Sequence, residues 1–316
     1  MDDLDRAVNA VVRECLGVRP GEGVLVVCDP GTRRIGELLR DEAEAAGADA
    51  VLALMAPRER DGAEPPDSVA GAMSRADVVL APTTRSLSHT AARREATGAG
   101  ARVASLPDVT EEMLARLMSA DMEGLRRKGA AVAAALTTAT KAQVTCPLGS
   151  DLRLGLEGRS GVPDAGQLDQ PGAFGNLPCG EGFIAPLEGT AEGRLMIAGT
   201  ISGYGIPSEP VEMTVAAGRL ASAGSEAGTW LLAQLDAPGP DGRNVAELGI
   251  GTNEEAKLTG NLLEDEKILG TAHIAFGASA AIGGTVQVPV HIDCVVLEPD
   301  VLLDGEAIVR AGELLV

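Results

Sequence analysis

Two hydrophobic periodicities divide this chain, and the place where one gives way to the other limits the folds open to it. Up to residue 143, short apolar runs alternate with stretches of helical spacing. Residues 24–28 read Val-Leu-Val-Val-Cys, close to Gly23 and Pro30, and residues 35–46 put Ile35, Leu38 and Leu39 on one helical face. Further strands are expected at 50–55, 77–81 and 102–106, with helices near 68–76 and 90–96. Short apolar strands between amphipathic helices predict a parallel, Rossmann-like α/β domain. Asp108, with Glu111 three residues later, resembles a helix start. The segment 111–136, with Leu114, Leu117, Met118, Met122 and Leu125 at helical spacing, is expected to close that domain.

After Lys141 the period changes to two. Residues 151–156, 194–201 and 211–215 alternate apolar with polar side chains and are separated by Gly, Pro or Asn. One helical stretch stands near 225–234. The expectation is an α/β domain over residues 1–143, followed by a mostly antiparallel β (α+β) domain over 144–316 that carries the chemistry.

Composition narrows the function. The net charge of −20 is unsuited to a phosphate backbone or an anionic lipid surface, so neither nucleic acid nor membrane is an expected partner. Aromatic residues make up 2% of the chain, so the core must be built from Ala, Val, Leu and Ile. Cys15, Cys28, Cys146, Cys179 and Cys294 lie far apart with no Cys-x-x-Cys pair, which points away from a disulfide framework and toward a reducing compartment. The first residues are acidic where a signal peptide is basic, and the uncharged stretch 268–290 is broken by Gly, Gln and Pro. A cytoplasmic protein is expected. The turn after the first strand, Asp29-Pro30-Gly31-Thr32-Arg33-Arg34, lacks the glycine spacing of a dinucleotide site.

Histidine is the informative residue type, because only His89, His273 and His291 occur. His291 and Asp293 lie two apart in an apolar run, which on a strand sends imidazole and carboxylate to the same face. That pair suits either one cation or a His–Asp hydrogen bond. His273, in a second short apolar strand, favours ligation. Glu181 and Glu247 sit among small and apolar residues, where an unpaired charge is costly and a cation relieves it; exposure on a turn is the alternative. The triplet Asp265-Glu266-Lys267 reads as a charged turn. His89, in the loop after an N-terminal strand, is a candidate acid/base.

Residues 149–296 resemble the aminopeptidase T/aminopeptidase S family of metallopeptidases. Gly149-Ser150-Asp151-Leu152 is similar to that family's Gly-Thr-Asp-Leu, and Asn176-Leu177-Pro178 with Glu181, Phe183 and Pro186 follows its Asn-x-Pro segment. Glu247 stands at the family's Gly-Glu step, Asp265-Glu266 precedes His273-Ile274-Ala275-Phe276-Gly277, and His291-x-Asp293 matches the terminal His-x-Asp. The resemblance implies two divalent ions (Zn, Mn or Co) on Glu181, Glu247, His273, His291 and Asp293. It also implies a homodimer and a metallo-aminopeptidase that hydrolyses a small peptide or amide, with Glu181 the candidate base. The family's Tyr after the His-x-Ala-x-Gly segment is replaced here by Ala280. Two further readings stand beside hydrolysis. One is an Fe(II)-dependent ring-cleaving dioxygenase resembling 2,5-dihydroxypyridine 5,6-dioxygenase of the same superfamily, with His273, His291 and Asp293 as ligands. The other is a non-catalytic scaffold.

Overall fold

The computed structural model describes residues 2–316, which form two compact units. The first contains the chain up to Met122 together with Gly166–Cys179. Its five-stranded parallel sheet runs in the order Asp49–Leu54, Gly23–Cys28, Val78–Thr83, Arg102–Pro107, Phe174–Asn176. Helices Arg33–Ala45, Asp67–Met73 and Ala91–Gly98 connect the first four strands. Val78–Thr83 is buried along its whole length, as a parallel strand covered on both faces must be, whereas the edge strand Asp49–Leu54 is partly exposed. The expected α/β class and the order of its elements are found.

The second unit contains Glu123–Ala165 and Gly180–Val316. It has an eight-stranded antiparallel sheet and a second, five-stranded antiparallel sheet. The five-stranded sheet runs in the order His291–Val296, Ala272–Gly277, Val245–Gly251, Glu181–Ile184, Val162–Asp164. One core joins them: Leu152, Leu195, Ile197 and Met213 from the wide sheet meet Leu248, Ile250, Ile274 and Phe276 from the narrow one. In the wide sheet Val211–Ala216 alternates buried and exposed residues, the pattern of an antiparallel strand with one face in water. The expected helix near 225–234 is present as Ser225–Asp236.

The division differs from a single cut at residue 143 in two ways. The segment 111–136 is not one helix. Glu111–Leu117 ends where the Ser119 hydroxyl donates to the Arg116 carbonyl, and Met122–Thr138 begins anew. Val132 and Leu136 of that later helix are buried in the second unit's core. The chain also returns to the first unit, where Phe174–Asn176 adds a parallel strand beside Arg102–Pro107. Three residues, Phe-Gly-Asn, carry no periodicity that could have announced it. No helix among the described residues is long and apolar enough to cross a membrane.

In the first unit, Arg102 is buried and its guanidinium takes both Glu22 oxygens, at 2.9 and 2.6 Å. Burial raises the Glu22 pKa, but the Arg102 pair and the Arg19 amide overcome it and leave the carboxyl below its ordinary range. A carboxyl depressed on folding contributes stability above its unfolded pKa and loses it as the pH falls through the folded value. Glu22→Gln should cost about 1–3 kcal/mol at neutral pH. The gap to wild type, read by urea denaturation, should narrow as the pH drops below about 4.

Candidate metal centre

The narrow sheet sorts its side chains by parity. Leu248, Ile250, Ile274, Phe276, Ile292 and Cys294 point into the core, so their neighbours point to the other face. That other face carries Glu181, Glu247, His273, His291 and Asp293, from four strands. Register sets them abreast: Glu247 pairs with Ala275, and Ala275 with Asp293, while Gly249 lies opposite His273 and Glu181 opposite Asp164.

Two glycines make room on this face. A Cβ on Gly249 would come within 2.1 Å of both Cε1 and Nε2 of His273, so the imidazole lies where a side chain would be. A Cβ on Gly251 would meet the Ile268 carbonyl oxygen at 2.1 Å, so the absence of a side chain lets the backbone of residues 267–268 cross the strand. This crossing brings Glu266 and Lys267 to the same face.

The contacts interlock. His273 Nε2 is 3.2 Å from Glu181 Oε2 and 3.3 Å from Glu247 Oε1. His291 Nε2 is 3.3 Å from Glu247 Oε2 and 3.4 Å from Asp293 Oδ1. His291 Nδ1 donates to the Ala278 carbonyl at 2.8 Å, which fixes the ring and turns Nε2 toward the carboxylates. Among the described residues, three overlapping groups have ligand atoms within 4.8 Å of one another: Glu181–Glu247–His273, Glu247–His291–Asp293 and Glu266–His273–Asp293. Glu247 touches both imidazoles.

The donor set fits a divalent cation. Each Nε2 faces two carboxylate oxygens and can carry only one proton, and Glu181 Oε2 is buried with no hydrogen-bond partner. Such an orphaned oxygen is costly unless a cation takes it. The titration of the cluster tells the same story. Burial drives His273 toward the neutral form, but its bond to Glu247 and the charges of Glu181, Glu247 and Asp293 prevail and lift its pKa to about 9. His291 is likewise pushed up against burial by Asp293 and Glu247. Burial raises Asp293, yet His291 holds it down at about 2. Burial raises Glu266 to about 8, more than neighbouring Lys267 lowers it. With no ion bound, protons on the imidazoles supply the missing positive charge, and a metal ion would displace them.

All five ligands expected from the sequence are therefore together. His89 belongs to the first unit, where it is exposed in the loop after Val78–Thr83 and its carbonyl accepts from the Arg94 guanidinium. The triplet Asp265-Glu266-Lys267 is not a solvated charged turn. All three residues are buried, and Asp265 accepts from the Thr259 and Gly260 amides and the Thr200 hydroxyl. The Lys267 ammonium reaches Glu266, Glu181 and Asp164. Asp164, Glu266 and Lys267 were missed because hydrophilic residues between glycines look alike whether a turn is wet or folded across a strand.

A family model described as NicX, 2,5-dihydroxypyridine 5,6-dioxygenase, matches residues 3–316. The chain belongs to the 2,5-dihydroxypyridine 5,6-dioxygenase family. A 2,5-dihydroxypyridine 5,6-dioxygenase of Pseudomonas putida is 25% identical over 258 residues, covering 77% of this chain and 72% of that one. The structure of 2,5-dihydroxypyridine dioxygenase from Pseudomonas putida superposes with a TM-score of 0.84 at 22% identity, covering 99% of this chain and 96% of the other. Wild-type AmpT from Thermus thermophilus superposes with a TM-score of 0.73 at 20% identity, covering 99% of each chain. The aminopeptidase-like fold read from the motifs is therefore present, and this dioxygenase family shares it. Membership of the family corrects the functional expectation: the chain is an enzyme of a dioxygenase family, and the readings as hydrolase, aminopeptidase and protease are overturned. The motifs misled because they report the shared scaffold rather than the reaction.

Gly249→Ala isolates the steric part of the site. The new methyl group should displace the His273 ring and weaken divalent-metal binding by about 10–100-fold or more. Calorimetric titration of chelator-stripped protein reads the affinity, and an unchanged far-ultraviolet spectrum reports that the fold survives.

Proposed function

We propose that this chain is a ring-cleaving dioxygenase that opens a dihydroxylated pyridine, 2,5-dihydroxypyridine or a close analogue, by inserting both atoms of dioxygen. Family membership over residues 3–316 carries the reading. The two imidazoles and adjoining carboxylates on one buried sheet face support it, since two His and a carboxylate suit non-haem Fe(II). His273, His291 and Asp293 would hold the ion, with Glu247 between the imidazoles. Fe(II) bound there supplies the means to activate dioxygen toward an electron-rich ring.

The remaining residues prepare that centre. The Ala278 carbonyl holds the His291 tautomer that leaves Nε2 for the ion. The Lys267 ammonium holds Glu181 Oε1 at 2.8 Å, so Oε2 is turned toward His273. Glu181 Oε2, buried and without a hydrogen-bond partner, is positioned to accept the proton that a ring hydroxyl loses on binding. Burial excludes water from this exchange, because Glu181, Glu247, His273 and Asp293 are all nearly inaccessible.

Protein stripped of metal and reloaded anaerobically with Fe(II) should consume one dioxygen for each 2,5-dihydroxypyridine ring lost, followed by an oxygen electrode and ring absorbance. His291→Ala and Asp293→Ala should each lower kcat/KM by at least about a hundredfold. Hydrolysis of an amide with no oxygen uptake would reject the proposal.

A further inference from the structure

Lys267 is among the largest fully buried side chains of the described residues, and it is charged. Its Nζ lies 2.5 Å from Glu266 Oε1, 2.8 Å from Glu181 Oε1 and 3.7 Å from Asp164 Oδ2. Three carboxyl groups thus surround one ammonium, which donates hydrogen bonds to Glu266 and Glu181 and pairs with Asp164 by charge across the longer gap. The lysine is held by its backbone: its amide donates to the Glu264 carbonyl, its carbonyl accepts from the Asn253 amide, and Gly251 gives the chain passage.

Glu181 links this arrangement to the imidazoles. One of its oxygens binds the ammonium, and the other, which has no hydrogen-bond partner, faces His273 Nε2. A carboxylate shared in this way bridges two positions for positive charge. The first lies among His273, Glu247, His291 and Asp293. The second is the place of Lys267 Nζ itself, which stands among oxygens of Asp164, Glu181 and Glu266, donors of the kind hard divalent ions take.

We propose that the Lys267 ammonium is a resident cation occupying a second metal position, so that removing its charge converts the centre from one divalent ion to two. The proposal rests on divalent-ion binding at the imidazoles but not on the ring-opening reaction. It makes Lys267 a positioning residue that orients Glu181 and Glu266 and sets how many ions the site accepts.

The test is metal stoichiometry. Wild type, Lys267→Arg and Lys267→Met are stripped, equilibrated with excess Mn(II), freed of loose metal and analysed by mass spectrometry. Mn(II) electron paramagnetic resonance then separates isolated ions from coupled pairs. Wild type and Lys267→Arg should hold a single ion with an uncoupled signal. Lys267→Met should hold a second ion and give a coupled signal, with thermal stability that rises as Mn(II) increases. A coupled pair in wild type would overturn the role of Lys267, as would a single ion in folded Lys267→Met. Should Lys267→Met fail to fold, the wild-type spectrum at saturating Mn(II) still decides, because a second ion entering beside the lysine contradicts the proposal. Absence of any bound ion in wild type would instead remove the metal centre itself, whatever the ring-opening assay gives.

Discussion

Carboxylates resist burial beside one another, because each loses its hydration and the low dielectric magnifies their repulsion. Here Glu181, Glu247, Glu266, Asp293 and Asp164 are gathered on one covered sheet face, with one ammonium and two imidazoles for company. The tertiary features around the site serve to make this tolerable. Lys267 is carried into the cluster on a backbone that crosses Gly251, Asp265 is satisfied by a ring of donors, and the imidazoles are lifted toward their charged form. What remains is a Glu181 oxygen that has no hydrogen-bond partner and meets only the His273 imidazole, and two Nε2 atoms each shared between two carboxylates, a donor set that suits a divalent ion.

The sheet that bears the cluster can do so because its other face is occupied elsewhere. Leu248, Ile250, Ile274 and Phe276 are committed to the core shared with the eight-stranded sheet, so a slip of one residue would exchange core for ligands. Stability and site geometry are coupled through parity: packing that fixes the register of the apolar face fixes the ligand face as well. Gly249 extends that coupling from the backbone to the imidazole, since the ring rests where any Cβ would stand.

The architecture that this chain shares with the dioxygenase structure and with AmpT shows how little of a reaction is written in a fold. The two share the fold, and a fold by itself does not fix the chemistry of a site built on it. In this chain a lysine stands among three of the acidic groups. Ordered motif matching could not weigh it, because the triplet that contains it reads equally well as a solvated turn.

Period and residue type by themselves determined a good deal. Apolar runs between amphipathic stretches are enough for a parallel sheet, and alternation is enough for antiparallel strands, because both are local consequences of one covered face or two. The pairing of His291 with Asp293 was legible for the same reason: a spacing of two puts both on one side of any strand. The tertiary structure decided what depends on partners distant in sequence. It gave the helix Met122–Thr138, apart from its first residue, to the second unit and returned Phe174–Asn176 to the first, since neither segment carries a signal of where it docks. It also decided that Asp164, Glu266 and Lys267 lie inside rather than in water. Burial of a charge is a property of the fold around it, and only strand register and two glycines brought those three residues to Glu181 and His273.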